Sequence, residues 1–266
     1  MKPKTHPLDV VSPERIAELV DEVAIRKVRL GFVPLFALAV LAGAFIGLGA
    51  VFYIVTVTGS DLGYGPTRFL GGLAFSLGLI LVIVGGAELF TGNSLIILAR
   101  ADRKITTPQL LRNWLFVYFG NLVGALGTAL LVHLSGILSE DPLAGTAIKI
   151  ADAKLALPAH EAFFRGVLCN VLVCLAVWMC FAARTVSGKV MVIIFPITAF
   201  VALGFEHSVA NMFLLPIGML EAGIFDLPRA ASNLLIVTAG NIVGGGVLVA
   251  LTYWLIYLSP HRAAQD

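Results

Sequence analysis

Charge is scarce in this chain. Only 13% of its 266 residues are Asp, Glu, Lys or Arg, against 59% hydrophobic residues and a mean hydropathy of +0.96. An ordinary soluble domain carries about 25% charged residues, so the balance excludes that class and indicates an integral membrane protein. The net charge of +2 leaves no basic surface for nucleic acid. Cysteine is scarce too. Cys169, Cys174 and Cys180 share one apolar run, which excludes a disulfide framework or a thiolate zinc site and reads as small hydrophobes in a packed helix. The N-terminus lacks a cleavable signal-peptide pattern. Also missing are a cofactor motif, a metal-ligand set and a nucleophile with its base and orienting acid. Ser208 beside Glu206 and His207 comes nearest and has no acidic third partner. An enzyme is therefore disfavoured and no cofactor is expected.

What is present are apolar runs of membrane length. At about 20 residues per crossing, six are found near 34–57, 69–99, 113–137, 163–183, 190–217 and 231–258, giving an all-α membrane protein. Ahead of them, Ser12-Pro13-Glu14-Arg15 followed by Ile16, Leu19, Val20 and Val23 predicts a capped amphipathic helix at the membrane surface, within an N-terminal segment 1–30. The six-span domain then occupies 31–258 and a short tail 259–266. Thirteen basic residues, among them Lys2, Lys4, Lys27, Lys104, Lys189 and Arg262, fall on one side of these spans, and Arg68, Lys149, Lys154, Arg165 and Arg229 on the other. The positive-inside bias then puts both termini in the cytoplasm of a multi-pass inner-membrane protein, with the longest loop, around 138–162, outside.

The second and fifth runs are interrupted near their middles. Gly85-Gly86-Ala87-Glu88-Leu89-Phe90-Thr91-Gly92-Asn93 breaks one, and Gly204-Phe205-Glu206-His207-Ser208-Val209-Ala210-Asn211 breaks the other. A carboxylate at mid-bilayer depth costs roughly 2.5–3.5 kcal/mol and faces a polar pathway or a partner. Glycine beside it lets the backbone leave helical geometry, which is tolerated at that depth only where protein buries it or a cavity adjoins it.

The chain also repeats itself. The frame N-x6-GN-x-VG at Asn113–Gly124 returns at Asn233–Gly244, and 233 − 113 = 120. Glu88 precedes Asn93 by the same five positions that separate Glu206 from Asn211. Two half-repeats, about 31–137 and 160–258, each hold three spans with the middle one broken. An odd number of spans per half turns the halves into opposite orientations, predicting a 3+3 inverted repeat with a transport site between the breaks. Gly120, Gly124, Gly127, Gly240 and Gly244–Gly246 predict close helix approach. Asn121 and Asn241 read as clamps on the unwound backbone or as pathway-lining residues.

His207 carries the mechanistic weight. Imidazole exchanges a proton near neutrality, its unperturbed pKa being about 6.5. In a dry constriction it can give a hydrogen bond or a proton to a small anion. Glu206 reads as a holder of the ring's orientation or an acceptor for backbone N–H groups, since a carboxylate would repel an anion. Glu88 reads likewise, while the Thr91 hydroxyl could face the permeant.

These residues resemble the formate/nitrite transporter family across nearly all six spans. The specific segments are Gly-Ala-Glu-Leu-Phe-Thr-Gly-Asn at 86–93, Ala-Asp-Ala-Lys at 151–154, Leu-Cys-Asn-Val-Leu-Val-Cys-Leu-Ala-Val-Trp at 168–178, Gly-Phe-Glu-His-Ser-Val-Ala-Asn-Met at 204–212 and Gly-Asn-Ile-Val-Gly-Gly-Gly at 240–246. The resemblance implies an aquaporin-like fold, a homopentamer with one pore per protomer, and a pathway centred on His207. It places Thr91 opposite, Glu206 and Asn170 in support, and Lys154 in an external vestibule. It makes Phe75, Leu79, Phe90, Val173 and Phe200 two apolar constrictions around the histidine. It also implies a small weak-acid anion moving with a proton, with formate ahead of nitrite and hydrosulfide. An aquaporin-type channel for neutral solutes would need Asn-Pro-Ala at both breaks, where this chain has Thr-Gly-Asn and Val-Ala-Asn.

Overall fold

The computed structural model describes residues 11–259, and every regular element among them is helical. Lys2, Lys4 and Arg262, which entered the orientation argument, lie outside the described residues, as do most of the 259–266 tail and the first ten residues of the 1–30 segment. Helix α1 runs Pro13–Arg29, α2 Phe32–Val57 and α3 Tyr64–Gly85. A 3-10 turn over Gly92–Ile96 leads into α4, Ile97–Ala101. Then come α5 (Thr107–Leu134), α6 (Leu143–Leu155), α7 (Ala159–Ala182), α8 (Val186–Ala202) and α9 (Ser208–Ala222). The last helix is α10 (Leu227–Ile242), continued by a π-helical stretch Val243–Leu251 and α11 (Thr252–Tyr257).

Five helices are long and apolar enough to cross a membrane: α2, α3, α5, α7 and the continuous α10–α11. The remaining apolar run is split into α8 and α9, with 17 and 15 residues. At 1.5 Å per residue these are about 25 and 22 Å long, each short of the roughly 30 Å hydrocarbon core. Helix starts fall up to six residues before the apolar runs predicted, because capped polar turns extend the helices past the hydrophobic part. Thr106 and Gln109 form a reciprocal capping box at α5, and the Asp226 carboxylate accepts from the Arg229 N–H at α10.

Two expectations change. The predicted outer loop contains α6, thirteen residues whose Ala147 and Ala151 pack so closely on Gly218 of α9 that a Cβ there would collide with them. Its short apolar face was too small to stand out in hydropathy. Helix α1 is capped by Ser12 as the sequence predicts. Its apolar stripe, however, meets protein instead of lying free at a membrane surface: Ile16, Ala17 and Val20 pack with Leu95, Leu98, Trp178 and Val249, and Ala24 and Val28 with Ile96, Ala99 and Leu110. Lys104 fastens the same helix through an ion pair with Asp21, and it pairs with Asp102 at the end of α4 as well.

Asp21 is buried and leaves one carboxylate oxygen without a partner. Burial pushes its carboxyl above the usual carboxylate range, against the pull of Lys104. A folded chain that holds the proton more tightly than the unfolded one gains stability below the unfolded carboxyl pKa and loses it as pH rises through the folded value. Asp21→Asn should remove that slope. At neutral pH the variant should unfold at or above the wild-type temperature, with the margin closing toward about pH 4, in thermal unfolding of detergent-solubilised protein.

Glycines let α5 and α10 approach their neighbours. A side chain on Gly120 or Gly124 would collide with Ala39 and the Val40 carbonyl of α2, and one on Gly240 or Gly244 with the Phe163 and Val167 carbonyls of α7. Gly127, which near-helical spacing placed in the same set, faces open space. Gly124→Ala should therefore lower the melting temperature sharply, whereas Gly127→Ala should match or exceed wild type through a helix-propensity gain of at most about 1 kcal/mol.

Candidate functional site

Each break starts where a glycine takes a left-handed conformation, Gly86 at φ 80° and Gly204 at φ 72°. The chain then runs non-helically past a glutamate, and its freed backbone groups are satisfied the same way twice. In the first break the Glu88 N–H donates to Leu38 O at 3.1 Å and the Phe90 N–H to Asn121 Oδ1 at 2.9 Å. Asn121 Nδ2 in turn donates to Ala39 O and Glu88 O at 2.7 and 2.9 Å. In the second, Glu206 N–H donates to Arg165 O at 3.2 Å and Ser208 N–H to Asn241 Oδ1 at 2.9 Å. Asn241 Nδ2 donates to Gly166 O and Glu206 O at 2.8 and 3.0 Å. Both asparagines are fully buried and work as clamps on the unwound chain, answering the requirement that buried backbone groups be paired.

The two carboxylates have equivalent partners. Glu88 accepts from Lys27 Nζ at 3.1 Å and from Asn93 Nδ2 at 2.8 Å, and Asn93 also donates to Asn113 Oδ1 at 2.9 Å. Glu206 accepts from Lys154 Nζ at 2.9 Å and from Asn211 Nδ2 at 2.7 Å, and Asn211 donates to Asn233 Oδ1 at 2.8 Å. Each outer asparagine closes its circuit on the lysine's own carbonyl, Asn113 on Lys27 O at 3.4 Å and Asn233 on Lys154 O at 3.0 Å. Lys27 is the residue that sequence reasoning missed, having counted it only as a topological charge. A trace of it exists in Ala24-Ile25-Arg26-Lys27 against Ala151-Asp152-Ala153-Lys154. These are 127 positions apart, whereas the breaks differ by 118 and the asparagine frame by 120, so a search at one fixed period passes over them.

His207 caps α9. Its Nδ1 accepts from the Ala210 N–H at 3.0 Å, which leaves the ring proton to Nε2, 3.0 Å from Thr91 Oγ1. Phe200 stacks on the ring at 5.8 Å and 17°. Glu206 does not orient this ring, contrary to the sequence expectation; its two oxygens are taken by Lys154 and Asn211. The backbone at the start of α9 does that work instead, because a side chain at a helix cap is within reach of a free N–H three residues on. Asn170 does not reach the histidine either. Its Nδ2 donates to Thr91 O, Ser94 Oγ and Asn241 O at 3.2, 3.1 and 2.6 Å, tying the first break to the end of α10.

Two cavities with no lining residue in common flank the breaks, one with Glu88 on its wall and the other with Glu206 and His207. One, of about 400 Å³, is lined by Lys27, Leu79, Glu88, Asn93 and Lys189 among others. The second, of about 330 Å³, is lined by Phe75, Lys154, Phe200, Glu206 and His207. Phe75 and Phe200 meet edge-on at 5.6 Å. Phe90 and Val173 line neither cavity; both are buried in the core, Phe90 edge-on to Trp114 and Tyr118 at 6.0 and 5.1 Å. Thr91 is fully buried.

The family model described as formate/nitrite transporter matches residues 14–255. The chain belongs to the formate/nitrite transporter family. It is 42% identical to the formate channel FocA of Escherichia coli (strain K12), over 95% of this chain and 96% of that protein. Among solved structures, it is similar to a pentameric formate channel with formate bound, with a TM-score of 0.79 and 45% identity over 85% of this chain and 98% of that one. An FNT family ion channel matches with a TM-score of 0.85 and 33% identity over 91% and 98%. In this member of the family the buried glutamates are spent on Lys27 and Lys154, and neither carboxylate reaches the Thr91–His207 contact.

Removing one partner of such a pair leaves a charge stranded. Lys154→Met should destabilise the protein by about 3 kcal/mol, and adding Glu206→Gln should restore most of that loss. Thermal unfolding of the single and double variants reads this directly.

Proposed function

We propose that this chain forms a homopentamer whose protomers each conduct formate across the membrane, with a proton accompanying the anion and His207 at the centre of the path. The observation that carries the reading is the buried Thr91–His207 contact, beside two cavities that share no lining residue and each have two lysines on their walls. The formate channels named among its relatives support the substrate, and the pentameric structure supports the assembly. The six spans form a 3+3 inverted repeat of the aquaporin type, with α3–α4 and α8–α9 as the broken ones. The domain covers 31–258, both termini face the cytoplasm, and the host is the inner membrane. The matching circuits of Glu88 and Glu206 support that arrangement.

The physical problem is desolvation. A bare monovalent anion loses several kcal/mol on entering an apolar constriction, and its neutral conjugate acid loses far less. Lys154 on one side and Lys27 on the other line the cavities by which formate approaches. As the anion leaves water its proton affinity rises, and it takes a proton from the vestibule water, HCOO⁻ + H⁺ giving HCOOH. His207 Nε2–H and Thr91 Oγ1 give the permeant hydrogen bonds where it has lost all water. Phe75, Leu79, Phe90, Val173 and Phe200 keep that region dry. Asn170, Asn211 and Asn241 hold the breaks that present those groups.

In proteoliposomes loaded with a pH dye, a formate pulse should acidify the lumen quickly, more slowly as external pH rises and protons become scarce, and lactate and chloride should do so less. His207→Ala should alter both the rate and its pH dependence. Flux that ignores formate but follows nitrite, hydrosulfide or a neutral solute would reassign the substrate.

A further inference from the structure

Lys154 and Lys27 both sit in the vestibules, yet neither supplies a net positive charge. Each is bound to a buried carboxylate, Lys154 to Glu206 at 2.9 Å and Lys27 to Glu88 at 3.1 Å, and a paired charge has only a dipole's short reach. Arg165, also on the wall of the smaller cavity, is paired with Glu161 at 2.7 Å. Two cations on that wall are left: Arg68 and Lys149 have no carboxylate within ion-pairing distance among the described residues, and Glu206 is the one carboxylate in the lining.

Arg68 is held firmly in place. Its Nε donates to Ala202 O at 2.6 Å, at the end of α8, and its guanidinium lies over the Tyr64 ring at 5.2 Å. It also passes so close to Gly204 that a Cβ there would stand 2.8 Å from Nη2. The arginine is thus fixed at the lip of the break that presents His207, with its charge uncancelled. Lys189, near the start of α8, lines the larger cavity and likewise has no carboxylate partner among the described residues.

We infer that Arg68, assisted by Lys149, is the anion-collecting residue of the Lys154 vestibule, with Lys189 serving the Lys27 vestibule, and that the two half-buried lysines hand the anion inward after these have gathered it. This rests on the reading of the chain as an anion conductor. A field from uncancelled charge raises the local anion concentration and the capture rate, and it weakens with salt. The screening length is about 10 Å at 0.1 M and 3 Å at 1 M ionic strength. Charge at Arg68 should therefore show itself as a salt-dependent KM.

The test uses the full chain in proteoliposomes, with formate flux measured at low and high concentrations of an impermeant salt. Arg68→Gln keeps a donor for Ala202 O and removes the charge; Arg68→Lys keeps the charge and loses the guanidinium geometry. Arg68→Gln should raise the KM for formate roughly three- to tenfold at low salt, more than it lowers the maximal rate, and the difference should fade at high salt. Arg68→Lys should recover most of the loss. Lys149→Gln, at an exposed site with no partner to strand, should change KM the same way to a smaller degree, and it serves if the Arg68 variants do not fold. A wild-type protein that passes no formate overturns the parent reading and this one together. Wild-type flux with an unchanged KM in Arg68→Gln and Lys149→Gln overturns this inference alone. So does a defect in Arg68→Lys that Arg68→Gln does not share, which would make Arg68 purely a brace for α8.

Discussion

An apolar helix that is opened at mid-depth must repay every backbone group it frees, because no lipid can accept or donate a hydrogen bond. The rest of this structure depends on how that is done. Asn121 and Asn241 each take one N–H and give two hydrogen bonds to carbonyls, bridging an unwound stretch to an intact neighbouring helix. The amide is suited to this role because it carries a donor pair and an acceptor without charge. With those groups paired, α9 begins directly after the second break with His207 as its cap.

That cap position settles which histidine nitrogen is free. The Ala210 N–H occupies Nδ1, so only Nε2 is turned toward Thr91. Asn170 holds the Thr91 carbonyl from behind, and Phe200 covers the ring face. One imidazole nitrogen and one hydroxyl thus meet in a fully enclosed contact. The buried glutamates lie elsewhere, engaged with lysine and asparagine, so their negative charge is neutralised locally.

Helices α1 and α6 are alike in use though not in sequence. Each ends near a lysine, Lys27 or Lys154, that reaches a glutamate in a break, and each gives its lysine carbonyl to an outer asparagine. The N-terminal helix is therefore part of the wall of the larger cavity, and the Asp21–Lys104 pair ties it to the turn before α5.

Much of this was legible in the chain because membrane constraints write themselves in composition. Long apolar runs with a lone Glu88 or Glu206 beside glycine can mean little but a broken span, and the Asn113/Asn233 frame announces a duplication. The frame singled out Asn121 and Asn241 but left open whether they clamp the unwound chain or line a pathway, and only their hydrogen bonds show the clamp. Helix α6 could not, since its thirteen residues carry too short an apolar face to distinguish from a polar loop. Nor could Gly127 be told from Gly124, because helical spacing fixes a residue's angle only relative to a neighbour whose position is unknown. The partner of a charge is likewise a matter of distance: nothing in the order of residues says that Glu206 binds Lys154 and ignores the adjacent His207, or that Lys27 reaches 61 positions along the chain to Glu88. The sequence by itself determined the membrane class, the breaks, the duplication and the family. The tertiary structure alone decided which charges cancel, which nitrogen of His207 faces Thr91 and which cations stay unpaired, because those depend on side chains brought together from helices far apart in sequence.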